Sequence, residues 1–269
     1  RATEHWLLQG GAMYETNDLI GDALTPRFAI NYLINPRHGL RAVYSEAVRS
    51  PDMFEDNVNW SYQVNGLQPA AYGRSSARYF VRTRGPGDLE QEHMRSREVG
   101  YNGFFPDFEL SLDAKLFHDE ITGMISEPLR NNQYIASNAN TARFQGGEAQ
   151  LDWRVTAADR LRLTYAYVDA QASSPLDEPL TARHSGSAGW LRDWGQGWSS
   201  ALFYYGADAL NGYRFERVDT RIAKRLLLGK TSLELAGMLQ QRLDPQPTTY
   251  ADNNYDSRHV VYFSAELTF

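Results

Sequence analysis

His259-Val260-Val261-Tyr262-Phe263-Ser264-Ala265-Glu266-Leu267-Thr268-Phe269 alternates from Val261 onward. Val261, Phe263, Ala265, Leu267 and Phe269 fall on one side, and Tyr262, Ser264, Glu266 and Thr268 on the other. Side chains of a strand alternate across its two faces, so this stretch predicts a strand with one apolar and one polar face. Three more segments read the same way. In Phe108 to Leu116, Phe108, Leu110, Leu112, Ala114 and Leu116 oppose Glu109, Ser111, Asp113 and Lys115. In Glu148 to Val155, Ala149, Leu151, Trp153 and Val155 oppose Glu148, Gln150, Asp152 and Arg154. In Leu233 to Leu243, Leu233, Leu235, Leu239 and Leu243 share a side with Gly237 and Gln241, against Ser232, Glu234, Gln240 and Arg242. Weaker alternation predicts strands near 4–15, 24–35, 40–49, 93–105, 161–171, 184–193, 198–208 and 214–226. The total is about twelve, with no long segment of helical period.

The connections between these strands alternate short and long. Short ones fall at Asn35-Pro36-Arg37-His38-Gly39, Pro106-Asp107, Thr156-Ala157-Ala158-Asp159, Trp194-Gly195-Gln196-Gly197 and Leu228-Gly229-Lys230. Long ones fall near 16–23, 50–92, 121–134, 172–183, 208–213 and 244–258. Up-and-down membrane barrels segregate short periplasmic turns from longer extracellular loops, whereas a soluble sandwich has no reason to. The polar sides carry Lys115, Glu148, Asp152, Arg154, Arg217, Asp219, Arg221, Glu234 and Arg242, too many charges for a packed interior. They face either bulk water outside an apolar core or a wet lumen behind a lipid-facing wall. Trp6, Tyr32, Tyr44, Trp153, Tyr165, Trp190, Trp198, Phe203 and Tyr205 are read as aromatic girdles on the apolar side.

The composition agrees. The 269 residues carry 33 acidic and 27 basic side chains, a net charge of −6, which gives no general pull toward nucleic acid. Hydrophobic residues make up 42 % and charged ones 22 %, which excludes a disordered chain. Absence of Cys excludes disulfide scaffolds and thiol chemistry. No apolar run is long enough for a transmembrane helix, and that test is blind to barrels. Arg1 is not followed by a charged-then-apolar leader, so the chain reads as a piece of a longer one.

Several blocks resemble the TonB-dependent outer-membrane receptors of Gram-negative bacteria, in their C-terminal barrel half. They are Leu24-Thr25-Pro26-Arg27-Phe28-Ala29-Ile30-Asn31-Tyr32, Leu40 to Glu55 with its Arg49-Ser50-Pro51, Leu89 to Gly100, Leu112 to Ile125, Gln145 to Trp153 and Leu163 to Ala170. The terminal Phe269 is similar to the ending read by the barrel-assembly machinery, which makes it a candidate assembly signal. Two features depart from the family: Gln91 stands where Pro is usual, and 244–258 lacks the common Asn-Leu-Phe-Asp pattern. The resemblance implies an all-β, antiparallel up-and-down transmembrane barrel. Family barrels have about 22 strands around a plugged lumen. Residues 1–269 would be the C-terminal portion, with the plug domain and energy-coupling box absent. It also implies an outer-membrane location with lipid around the wall. The expected role is TonB-coupled uptake of a ferric siderophore or similar scarce nutrient, coupling to TonB through the missing N-terminal region. Cobalamin, a saccharide or a metal complex stay open as cargo. Two other readings stand beside it: a passive porin-like channel complete in this chain, and a soluble all-β binding protein.

The segment 50–92 carries the candidate ligand contacts Trp60, Tyr62, Tyr72, Arg74, Arg78, Tyr79, Arg82 and Arg84, with Phe80 among them. Arginine offers a planar donor fork to carboxylates, catecholates or hydroxamates, and the aromatics offer stacking surface. A solvated loop that binds lipid phosphate is the plainer reading. No His lies between Pro51 and Asp88, which disfavours axial ligation of haem from this loop. His38, His118, His184 and His259 are scattered and read as structural rather than as a metal centre. Asp252-Asn253-Asn254-Tyr255-Asp256 is oxygen-rich but lacks EF-hand spacing. No G-x-S-x-G surrounds a Ser, and Gly195-Gln196-Gly197 does not open a phosphate-cradling helix, so no enzyme or cofactor is expected. Asp219 and Glu234 are expected to pair across strands with Arg217, Arg221 or Arg242.

Overall fold

The computed structural model describes residues 3–17, 20–70, 73–126, 133–134, 136–174, 177, 180–210, 213–244 and 257–269. For 59–62, 77–84, 133–134, 210 and 213 it describes the backbone alone. In chain order the elements are β1 (Trp6–Glu15), β2 (Ala23–Asn35), β3 (His38–Arg49), α1 (Met53–Asn57), β4 (Asn59–Asn65), β5 (Ser76–Arg84), β6 (Glu92–Phe105), β7 (Leu110–Met124), β8 (Gln133–Tyr134), β9 (Asn140–Arg154), β10 (Asp159–Ala172), β11 (His184–Gly195), β12 (Trp198–Leu210), β13 (Tyr213–Leu228), β14 (Thr231–Arg242) and β15 (His259–Thr268).

Twelve of these form one antiparallel sheet in the order β1-β2-β3-β6-β7-β9-β10-β11-β12-β13-β14-β15. Every expected strand is present, and each pairs with its sequence neighbours in the up-and-down manner. Among the described residues β1 pairs only with β2, and β15 only with β14. The remaining three strands, β4, β5 and β8, form a small separate sheet.

Cross-strand partners point to the same face, so the register decides which side chains share a side. One side, followed from β6 through β10, carries Val99, Leu116, Leu151, Leu163 and Tyr165. It continues through Trp190, Leu202, Ile222, Leu239 and Val261. Among the described residues nothing packs on it. Leu116 is 68 % exposed, Val99 59 % and Phe263 83 %, and no large side chain among the described residues is fully buried. A dry core, which the soluble sandwich reading requires, is therefore missing from the described residues. An apolar wall of this extent marks a surface covered by hydrocarbon or by a partner. The opposite face carries all nine charged residues expected there, from Lys115 on β7 to Arg242 on β14.

The outward face is banded. On β6 it runs Phe105, Gly103, Tyr101, Val99 and then Arg97, on β7 Leu110 to Leu116 and then His118, on β9 Trp153 to Gly147 and then Gln145. Four alternate positions at ~3.4 Å per residue span about 20 Å along each strand, comparable to the ~25 Å apolar belt of outer-membrane barrels. Lys224 interrupts it on β13, but its Nζ reaches the Gln196 carbonyl at 2.6 Å in the adjacent turn and lies over the Trp198 ring. This is the snorkelling expected of a cation at the edge of lipid.

Several expectations are corrected. Phe203 and Tyr205 do not belong to the girdle: they pair with Asp219 and Arg217 on the charged face, where the Arg217 guanidinium lies 4.8 Å over the Tyr205 ring. Ala201-Leu202-Phe203-Tyr204-Tyr205 is apolar in both phases, so alternation could not choose between them. The other seven girdle residues do lie on the apolar face. Phe108 is not in a strand. Pro106–Phe108 is a 3-10 turn, and Glu109 follows in the left-handed conformation at φ 47°. The connection expected near 208–213 shrinks to the two residues between β12 and β13, because both strands extend beyond the expected limits. The turn at 229–230 uses Gly229 at φ 69°, a conformation costly for any residue with a Cβ.

Candidate functional site

The long-loop end of the sheet is where the chain builds structure that the wall does not need. Residues 50–92, expected as one irregular loop, contain a helix and a hairpin. Asp52 opens α1: its carboxylate accepts from the Glu55 amide at 2.7 Å, and the Glu55 carboxylate accepts from the Asp52 amide at 3.0 Å. This reciprocal capping box holds a helix too short to persist alone. Below α1, Asp56 accepts from the Leu89 amide at 3.0 Å, and Gly85 donates to the Val58 carbonyl at 2.7 Å, which closes the segment on itself. β4 pairs antiparallel with β5, with Tyr62 opposite Tyr79 and Gln63 opposite Arg78. β5 then pairs in parallel with β8, placing Arg82 opposite Gln133. The connections β3–β6 and β7–β9 are thus joined in one small sheet.

A polar clamp fixes their base. Arg49, the last residue of β3, donates to Glu92 at 2.7 and 2.9 Å and to Glu55 at 3.0 and 3.1 Å. Glu92 also accepts from the Ile125 amide at 2.6 Å. Asn138 accepts from the Glu90 amide at 2.8 Å and donates to the carbonyls of Glu90 and Gly123 at 2.9 and 2.7 Å. Under this net Leu89, Ile125 and Ala136 form a small buried cluster. Gln91, in place of the usual Pro, is buried and donates to Ser50 at 3.2 Å, and Ser50 donates to Glu15 at 3.2 Å. The capping pattern Asp52-x-x-Glu55 was legible in the sequence. The meeting of Arg49 with Glu92 and of Glu90 with Asn138 was not, because it follows from the pairing of distant strands.

Of the eight candidate ligand contacts, Arg74 is exposed. Trp60, Tyr62, Arg78, Tyr79, Arg82 and Arg84 are placed by their backbone in β4 and β5, and their side chains lie outside the described residues. Tyr72 lies outside the described residues altogether, as does the Asp252–Asp256 stretch. The histidines sit apart on different strands: His38 meets Tyr101 at 2.6 Å, His118 meets Glu120 at 3.3 Å and His184 meets Tyr165 at 2.7 Å, while His259 contacts Gln241.

The inner face below the loops is a ladder of ion pairs. Asp152 is gripped by Arg160 and by Arg162, the latter at 2.9 Å. Lys115 pairs with Glu148 at 3.1 Å, Arg217 with Asp219 at 2.8 Å, and Glu234 takes Arg221 at 2.5 Å and Arg225 at 3.0 Å. Glu234 pairs across strands with Arg221 as expected and with Arg225 besides, whereas Asp219 takes Arg217 from its own strand, two residues away, and not from a neighbour. These pairs are partly exposed, so each contributes little stability alone. Together they make a wall wettable along its length.

A family profile described as TonB dependent receptor-like, beta-barrel, matches residues 1–237. The chain belongs to this TonB-dependent receptor-like β-barrel family. Solved structures agree in fold. A mutant of the ferric enterobactin receptor PfeA of Pseudomonas aeruginosa superposes with a TM-score of 0.70 at 15 % identity, covering 98 % of this chain and 42 % of that one. The siderophore receptor PirA of Acinetobacter baumannii gives 0.67 at 14 % identity, covering 99 % and 44 %. The copper transporter OprC gives 0.63 at 15 % identity, covering 89 % and 39 %. Comparison with curated proteins finds none that matches. The chain spans about two fifths of the length of these TonB-dependent receptor structures. The TonB-dependent receptor family comprises receptors and transporters of the Gram-negative outer membrane, not enzymes.

Proposed function

We propose that this chain forms the C-terminal wall and outer loops of an outer-membrane receptor that takes up a ferric siderophore or a similar scarce nutrient. In that reading residues 1–269 are a barrel portion, and the plug and the contact with TonB belong to the rest of the receptor. The supporting observation is a wall with an unpacked apolar side and an ion-paired polar side, surmounted by clamped loops rich in Arg and aromatic residues. PfeA and PirA are siderophore receptors and OprC a copper transporter, so an iron chelate or another metal cargo suits the fold. The cargo surface is Trp60, Tyr62, Tyr72, Arg74, Arg78, Tyr79, Arg82 and Arg84. These donors and rings suit an anionic iron chelate.

Replacing Arg78 and Arg82 together by Ala in the full-length receptor is expected to weaken binding at least tenfold for a ferric catecholate or hydroxamate, measured by titration calorimetry. Identical affinity across both chelate classes would retire the loop assignment. Phe269, at the end of the apolar face, is proposed as the assembly signal. Phe269→Ala is expected to lower the heat-modifiable fraction on gels while synthesis is unchanged, and unaltered mobility would count against that role.

A further inference from the structure

An asparagine followed by glycine readily loses its side-chain amide, because glycine has no side chain to keep its backbone nitrogen away from the asparagine Cγ. The sequence holds three such pairs: Asn65-Gly66, Asn102-Gly103 and Asn211-Gly212. The last lies outside the described residues. The fold treats the other two in opposite ways. Asn102 lies inside β6, and Gly103 is paired on both sides, with His38 on β3 and Leu112 on β7. The Asn102 amide nitrogen donates to Asp113 at 3.0 Å, and the Tyr101 ring covers Gly103. A strand held in two ladders cannot turn the Gly103 nitrogen onto the Asn102 Cγ without breaking the pairing of the wall. Asn65 is the last residue of β4, and Gly66 follows outside the strand at φ 75°. Both are exposed, and the space that a Gly66 Cβ would occupy is open. The Gly66 amide makes no hydrogen bond among the described residues. Gln63 Nε2 donates to the Asn65 Oδ1 at 3.1 Å, which polarises that carbonyl toward attack.

The surroundings give the site its consequence. Residues 59–84 carry four arginines, Arg74, Arg78, Arg82 and Arg84, and no acidic residue. Asn65 stands opposite Ser76 and Gln63 opposite Arg78, so positions 65 and 78 lie on the same face of the hairpin, one diagonal apart.

We propose that Asn65 is a site of spontaneous deamidation, which introduces a carboxylate into an outer hairpin whose only charged residues are arginines. The Gly66 nitrogen attacks the Asn65 Cγ, its proton leaves with the side-chain nitrogen as ammonia, and a succinimide ring closes. Water then adds to one of the two ring carbonyls and opens it to aspartate or isoaspartate at position 65. The new carboxylate is ionised at neutral pH and competes with an anionic cargo for the arginines. Conversion accumulates with time, so older receptors bind such a cargo more weakly. That consequence rests on the reading of this hairpin as cargo surface, and the chemistry at Asn65 does not.

The test stores the full-length receptor in detergent in mildly alkaline buffer and follows tryptic peptides 50–74 and 98–115 by mass spectrometry, with isoaspartate located by fragmentation. Asn65 is expected to convert at least tenfold faster than Asn102 in the folded receptor. In guanidinium chloride, where the wall no longer protects Asn102, the two rates should become similar. Asn65→Gln should remove the fast conversion from peptide 50–74. Equal rates in the folded receptor, a tenfold gap that persists after unfolding, or fast conversion that survives Asn65→Gln would overturn the inference. Aged receptor is expected to bind a ferric tris-catecholate at least threefold more weakly than fresh receptor, while Asn65→Gln keeps its affinity on ageing. Unchanged affinity after full conversion, or equal loss in both proteins, would overturn the effect on cargo. Binding indifferent to the joint replacement of Arg78 and Arg82 would instead defeat the cargo surface, with the mass readout at Asn65 unaffected.

Discussion

Leu112→Arg is expected to destabilise the folded barrel by about 2–4 kcal/mol, the cost of a cation on the lipid face near the bilayer midplane. Leu112 lies inside the apolar band of β7, opposite Gly103 on β6 and Leu151 on β9. Among the described residues no acidic partner sits on that side of the sheet within the band, and a guanidinium there must drag water into hydrocarbon or bend away to the surface. Ser111, its sequence neighbour, points to the charged face, level with Phe104 and Asp152. Ser111→Arg is therefore expected to change stability by less than about 1 kcal/mol, the worth of an exposed ion pair. Reversible urea unfolding of the full-length receptor in phospholipid vesicles gives both values. Equal costs at the two adjacent positions would remove the distinction between lipid and lumen faces on which the receptor reading depends.

Glu92→Ala is expected to loosen the outer loops without unfolding the wall. Its carboxylate accepts from the Arg49 Nε and Nη2 and from the Ile125 amide, so its loss strips three donors at once. Hydrogen bonds to a charged group are worth about 1.5–3 kcal/mol each when shielded. Arg49 is 47 % exposed and keeps Glu55, which brings the local cost down to about 2 kcal/mol. Amide exchange through local opening in 50–91 and 125–139 should accelerate roughly 30-fold, with the strands of the wall unaffected. Glu55→Ala, which leaves the Arg49–Glu92 pair intact, should have the smaller effect. Unchanged exchange in Glu92→Ala would show that the clamp does not restrain the loops.

Much of the architecture was legible from one-dimensional pattern. Strict alternation in 261–269 and 148–155 names both faces, because a period of two leaves only the assignment of sides to make. Where both phases are apolar, as at Leu202-Phe203-Tyr204-Tyr205, alternation carries no information, and the partner strand decides: Asp219 and Arg217 pull Phe203 and Tyr205 to the polar side. The loops resisted for another reason. The cap of α1 is local and readable, but the joining of β5 to β8 and of Arg49 to Glu92 depends on chain returning after dozens of residues, and pairing over such distances leaves no periodic trace.

The residues in order were thus sufficient for the twelve wall strands, the charge of their inner face and the family likeness, since each is written in neighbouring side chains at fixed spacing. Only the folded arrangement could reveal that the apolar side lies bare among the described residues, and that a single arginine ties two loops together. Those are relations between positions far apart in the chain, and they exist only once hydrogen-bonded register brings the strands side by side.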